Sequence, residues 1–144
     1  MNDAIARERF ETAVQEHEPA FERFFLARFF GLEVDYDDER EVCTVHLPYA
    51  DYMNNPQGSL HGGVIATAMD ISMGHLLNRY IRAGVTLEMK TQYLRPILGP
   101  AHCQGRFLKK GRRICFTESR LYDESGKDCA VATATWMLLP EERG

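Results

Sequence analysis

The sequence predicts an α+β domain in which one long buried helix is wrapped by a curled antiparallel sheet, and three observations predict it. Between Gly63 and Leu77 the only ionised residue is Asp70, and Val64, Ile65, Ala66, Ala68, Met69, Ile71, Met73, Leu76 and Leu77 leave no continuous polar face. A helix that is apolar all round is a buried one. Four segments after it, Val85 to Arg95, Ala101 to Leu108, Ile114 to Tyr122 and Cys129 to Leu138, read as strands joined by short turns. Two alternating segments before it, Leu32 to Tyr36 and Glu41 to Leu47, read as a hairpin. A single long apolar helix inserted among such strands needs the sheet curled around it.

Each element has its own local cause. Ile5, Phe10, Ala13 and Val14 lie among charges in residues 3 to 17, which suits a modest amphipathic helix. Pro19 fits the start of a second helix, whose Phe21, Phe24, Phe25, Phe29 and Phe30 would share one face, with Gly31 as its C-cap. Asp37 and Asp38 supply the hairpin turn, and Pro48 ends the hairpin. Residues 49 to 60 hold Asn54, Asn55, Pro56 and Gly58, a loop leading into the central helix, and such loops often carry function. Gly84 opens the long strand and Pro96 stops it. Turns then follow at Gly99 and Pro100, at Gly111, and at Glu124, Ser125 and Gly126. Residues 1–144 read as one domain, a helical extension over 1–31 followed by a core over 32–139.

Composition narrows the class of function. A chain of 144 residues buries about two-thirds of its unfolded surface, enough for a real core. The net charge of -4 and the lack of a basic stripe argue against a nucleic-acid partner. No apolar run is long enough to span a membrane, and the N-terminal residues are charged where a signal peptide is apolar, so a cytoplasmic protein is expected. Cys43, Cys103, Cys115 and Cys129 form no CxxC pair, and the five histidines include no HxH or HxxxH pair. The cysteines read as core thiols, and neither metal nor cofactor is expected.

The chemistry concentrates at two points of the central helix. An unpaired buried carboxylate is costly, so Asp70 has either a chemical role or a structural partner, such as a backbone N–H or an arginine. Gly58, Gly62 and Gly63 clear side chains from the start of the helix, where a ligand can approach backbone. The first N–H groups there lack internal partners and carry the positive end of the helix dipole, a place for a developing oxyanion. Eight residues of helix separate Gly62 from Asp70, about 12 Å at 1.5 Å per residue. One chain cannot bring both to one carbonyl. Two such helices packed antiparallel across a twofold axis would, giving a site shared between subunits. GSLHG, residues 58–62, lacks the spacing of a serine-hydrolase elbow. His61 can hold the loop through backbone bonds or transfer a proton. Lys109, Lys110, Arg112 and Arg113 form either a solvated hairpin tip or a contact for ligand phosphates.

The motif Asn55, Gly58, His61, Gly62, Gly63, with an acid nine residues after the histidine, resembles that of the hotdog-fold acyl-CoA thioesterases, most closely the phenylacetic-acid-degradation (PaaI) type. The resemblance runs from the opening hairpin to Leu139. It implies an acyl-CoA hydrolase, dimeric or tetrameric, with substrate bound between subunits. It further implies Asp70 as nucleophile or general base, the Gly62 N–H polarising the thioester carbonyl, Asn55 orienting the water or the carbonyl, and Thr86 helping to hold the water. Gly63 would lie against the substrate, and Lys109, Lys110 and Arg112 would meet the phosphates of CoA. The N-terminal phenylalanines would either cover the core or wall an acyl-chain tunnel. Two other readings stand beside it. Hotdog hydratases and dehydratases use a histidine and an acid placed like His61 and Asp70, and hotdog regulators bind acyl-CoA without turnover.

Overall fold

A computed structural model describes residues 2–141. Two N-terminal helices, α1 (Asp3–Glu16) and α2 (Phe25–Phe29), precede the hairpin β1 (Glu33–Asp37) and β2 (Val42–Leu47). A short 3-10 turn, Asp51–Met53, leads toward the central helix α3 (Gly62–Tyr80). The strands β3 (Gly84–Tyr93), β4 (Ala101–Lys109), β5 (Ile114–Asp123) and β6 (Asp128–Leu138) follow. All six strands form one antiparallel sheet in the order β1-β2-β4-β5-β6-β3. The chain is thus α+β with α3 held against a curled sheet, as the pattern of one apolar helix among strands predicts.

Period-two burial explains how the sheet grips α3. Cys43, Val45 and Leu47 of β2, Ala101 and Cys103 of β4, Cys115, Thr117, Ser119 and Leu121 of β5, and Ala130, Ala132, Ala134 and Trp136 of β6 are buried. Many of these are small, so the helix approaches closely. A Cβ on Gly105 would come within 2.5 Å of the Ser72 carbonyl oxygen, so only glycine fits there. Ser72 Oγ donates to the Met69 carbonyl at 2.6 Å and lies 2.8 Å from Ser119 Oγ. These bonds satisfy the two buried hydroxyls where helix meets sheet. The four cysteines are free and buried.

One expectation changes. The second helix does not run from Pro19 to Phe30: only Phe25–Phe29 is helical. Glu22 adopts φ 70°, outside the helical region, and its N–H donates to His75 Nε2 at 3.0 Å instead of to a helical carbonyl. Phe21 therefore leaves the shared face and packs edge-on against the His75 ring, 4.8 Å between centroids. Phe24 and Phe30 pack on the core as expected. The helix α3 is not covered all round by its own chain. Val64, Ile65, Ala68, Met69, Ile71, Met73, Leu76 and Leu77 are buried, but a stripe through Gly63, Thr67, Asp70, Gly74 and Asn78 stays partly or fully open.

Strand β3 lies at the sheet edge and is mostly exposed, including Val85, Leu87 and Tyr93. Its register against β6 slips between Thr86 and Glu88, so Thr86 pairs with Trp136 and Met89 with Ala134. Trp136 and Ala134 are both buried. Without the bulge, residues 86 and 89 would point to opposite faces; with it, both lie opposite inward residues of β6.

Candidate active site

Asp70 sits midway along α3 on its open stripe. Thr86 Oγ1, paired opposite inward-facing Trp136, donates to Asp70 Oδ1 at 2.8 Å. Partial burial pushes the Asp70 pKa up and the Thr86 hydrogen bond pulls it down, with burial the larger effect. The net result is a carboxyl more basic than an ordinary aspartate. Beside it opens a cavity of about 400 Å³, lined among others by Phe21, Phe24, Gly74, His75 and Trp136.

The other end of the site begins at His61, the N-cap of α3. Its Nδ1 accepts the Gly63 N–H at 2.8 Å, which closes one of the unpaired donors of the first turn. The Gly62 N–H has no protein acceptor among the described residues. It remains available to an oxygen of a ligand. Tyr93 Oη donates to the Gly62 carbonyl at 2.8 Å, and a Cβ at position 62 would stand 3.2 Å from the Tyr93 ring. A side chain at position 62 would crowd that ring. A second cavity, about 280 Å³, is lined here by Asn55, Gly62, Tyr93 and Arg95 among others.

Asn55 reaches this cavity but its amide is engaged in the loop. Oδ1 accepts the N–H groups of Gln57 and Ser59 at 3.0 and 3.1 Å, and Nδ2 donates to Ser59 Oγ at 3.1 Å. Asn54 turns inward instead, with Nδ2 donating to Tyr49 Oη at 2.7 Å and Oδ1 buried without a partner among the described residues.

Asp70 and Thr86 are thus brought together, as are Asn55 and Gly62, but the two pairs line separate cavities of one chain. Lys109, Lys110 and Arg112 join neither. Lys110 pairs with Glu41 and lies over the Phe107 ring. The Arg112 carbonyl accepts from Arg82, just beyond the C-terminal end of α3. Tyr93, His75 and Trp136 line the two cavities beside these candidate residues, and nothing in the sequence marks them. Tyr93 and Trp136 read only as strand aromatics, and the contacts of all three are made across the fold. Among the described residues no cluster of histidine, cysteine and carboxylate side chains is placed to hold a metal. No described helix is long and apolar enough to cross a membrane.

Residues 57–130, which include α3 with Gly62 and Asp70 and also Thr86, but not Asn55, Phe21, Phe24 or Trp136, match the thioesterase superfamily. The chain belongs to that family. It is accordingly a thioester hydrolase of the hotdog fold. The medium/long-chain acyl-CoA thioesterase YigI of Escherichia coli is 31% identical over 131 residues, covering 77% of this chain and 83% of YigI. A Bacillus halodurans protein, solved with CoA, superimposes with a TM-score of 0.81 at 23% identity, covering 96% of this chain and 91% of that one. The PaaI protein of the Escherichia coli phenylacetic acid degradation operon superimposes with a TM-score of 0.72 at 18% identity, covering 78% and 86%. These two structures share the fold.

Proposed function

We propose that this thioesterase hydrolyses acyl-CoA in the cytoplasm, with Asp70 of one subunit and Gly62 of its partner at one carbonyl. The observation that carries the reading is the Asp70 carboxyl itself, half-buried on an apolar helix and held by Thr86. Thr86 takes up Oδ1, which leaves Oδ2 to accept a proton from water. A raised pKa suits a general base near neutral pH. The water oxygen attacks the thioester carbon as its proton passes to Asp70. The oxyanion so formed meets the free Gly62 N–H at the positive end of a helix. Collapse breaks the C–S bond, and the departing thiolate takes the proton back from Asp70.

Sharing between subunits is supported by the separation of the two cavities, by the open stripe through Gly63, Thr67, Asp70 and Gly74, and by the unpaired edge of β3. A second helix laid antiparallel on that stripe places position 62 beside position 70, at the roughly 8 to 10 Å typical of packed helices. CoA as the thiol partner is supported by the acyl-CoA thioesterase YigI and by the CoA-containing relative. Lys109 and Arg112 would meet its phosphates as point and forked charges. Asn55 then acts by shaping the loop that presents Gly62, since its amide is already bonded. Four free thiols suit a reducing compartment.

The test is a panel of acyl-CoAs, saturated, aromatic and 2-enoyl, assayed for free thiol and for the enoyl chromophore. Release from at least one member is expected. Loss of an enoyl chromophore with no thiol released would replace hydrolysis by hydration.

A further inference from the structure

The cavity beside Asp70 is closed on one side by a segment that lies outside the residues matching the family, 57–130. Glu22 leaves the helical region so that its N–H can donate to His75 Nε2. His75 is 2% exposed and sits on α3 five residues after Asp70. This bond, with the edge-on packing of Phe21 on the His75 ring, fixes residues 21 to 24 over the helix. Phe21 and Phe24 thereby reach the same cavity as Asp70, together with Trp136.

Gly74 keeps the space between them. It follows Asp70 by four residues and so lies on the same face of α3. A Cβ there would come within 3.1 Å of Trp136 Cη2 and would enter the cavity. A volume of about 400 Å³ falls in the range of small-molecule sites, roughly 300 to 1,000 Å³. Apart from Asp70, Thr86 and the His75 ring, the residues lining it are apolar or glycine. Such a wall receives an uncharged hydrocarbon group and rejects a charged one.

Resting on the assignment of Asp70 to thioester hydrolysis, we propose that Phe21 and Phe24, held by the Glu22–His75 bond, form the end wall of the acyl pocket. They set the longest hydrocarbon chain the enzyme accepts. Phe21→Ala opens the wall and moves the chain-length optimum toward longer acyl groups. Gly74→Ala fills the pocket and moves it toward shorter ones.

The test uses the full-length oligomer and straight-chain acyl-CoAs from four to sixteen carbons. For Phe21→Ala, kcat/KM on chains two carbons beyond the parental optimum should rise about tenfold or more relative to the optimum, since each newly buried methylene favours binding about fourfold. Gly74→Ala should shift the profile the opposite way, which loss of stability alone cannot imitate. Binding is read separately, because Trp136 is the only tryptophan in the chain and it lines the cavity. Alkyl-CoA thioethers, which cannot be hydrolysed, should change its fluorescence with a chain-length preference that shifts in the same two directions. Identical profiles for parent and both variants overturn the wall and leave the hydrolase intact. Shifted thioether binding by a protein that releases thiol from no acyl-CoA keeps the wall and overturns the hydrolase.

Discussion

Thr86 Oγ1 and Asp70 Oδ1 are 2.8 Å apart, joining an edge strand to the middle of the buried helix. The bond is made possible by the pairing of Thr86 with inward-facing Trp136 of β6, just before the register slip. It orients the carboxyl and opposes the rise in its pKa that burial causes. Several of the expected behaviours trace to this pair.

Asp70→Asn should keep the fold and lower thioester hydrolysis by about two to four orders of magnitude, the usual loss of a general base. Its stability should depend on pH in a defined sense. The folded-state pKa of Asp70 lies above the ordinary 3.8, so the folded protein binds the proton more tightly than the unfolded chain does. The parent is therefore favoured below 3.8 and loses that advantage as pH rises through the folded pKa. Asp70→Asn should melt at or above the parent at neutral pH, and any excess should disappear in acid. Melting curves from pH 3 to 8 check this, and a variant markedly less stable than the parent at pH 7 would contradict it.

Thr86→Val removes the hydroxyl that lowers the Asp70 pKa. The acid limb of kcat/KM should then move to higher pH, with activity at neutral pH reduced on the order of tenfold. Thr86→Ser should restore the parental profile. A pH profile that does not move in Thr86→Val would remove this hydrogen bond from the mechanism.

His61 uses Nδ1 to cap α3 through the Gly63 N–H. His61→Ala should cost about 1 kcal/mol of stability, the typical value of a lost cap. His61→Asn can accept the same N–H and should recover both stability and thiol release to within a few-fold of the parent. If His61→Asn is stable yet inactive, the imidazole moves a proton, and the acid/base pair with Asp70 returns to consideration.

The parent should have the mass of a dimer or tetramer in solution, and complementation tests how its sites are built. Asp70→Asn and Gly62→Val should each be inactive alone, the second because its side chain meets the Tyr93 ring. After co-refolding, a mixed dimer holds one site with both changes and one with neither, so about half the parental activity per mixed dimer should return. No recovery would put the whole site inside one chain.

The sequence by itself determined the class, the long helix, its lone acid and the glycines at its start. Periodicity is a local record of burial, and the run from Val64 to Leu77 carries it plainly. The motif from Asn55 to Gly63 likewise sits in consecutive residues, so its resemblance to the thioesterases was legible. The tertiary structure alone decided what those residues touch. The helix expected from Pro19 begins only at Phe25 because the Glu22 N–H finds an acceptor on His75, 53 residues away, and no local propensity records that bond. The inward aim of Thr86 is set by pairing with β6, whose partner residue Trp136 lies fifty positions later in the chain. Asn55 reads as a ligand-facing amide until its bonds to Gln57 and Ser59 are seen. The separation of Gly62 from Asp70 could be read from the rise of a helix. That Gly74 keeps space beside Asp70, and that Phe21 and Trp136 border the same space, follows only from packing, because side chains distant in sequence share a volume that no single segment encodes.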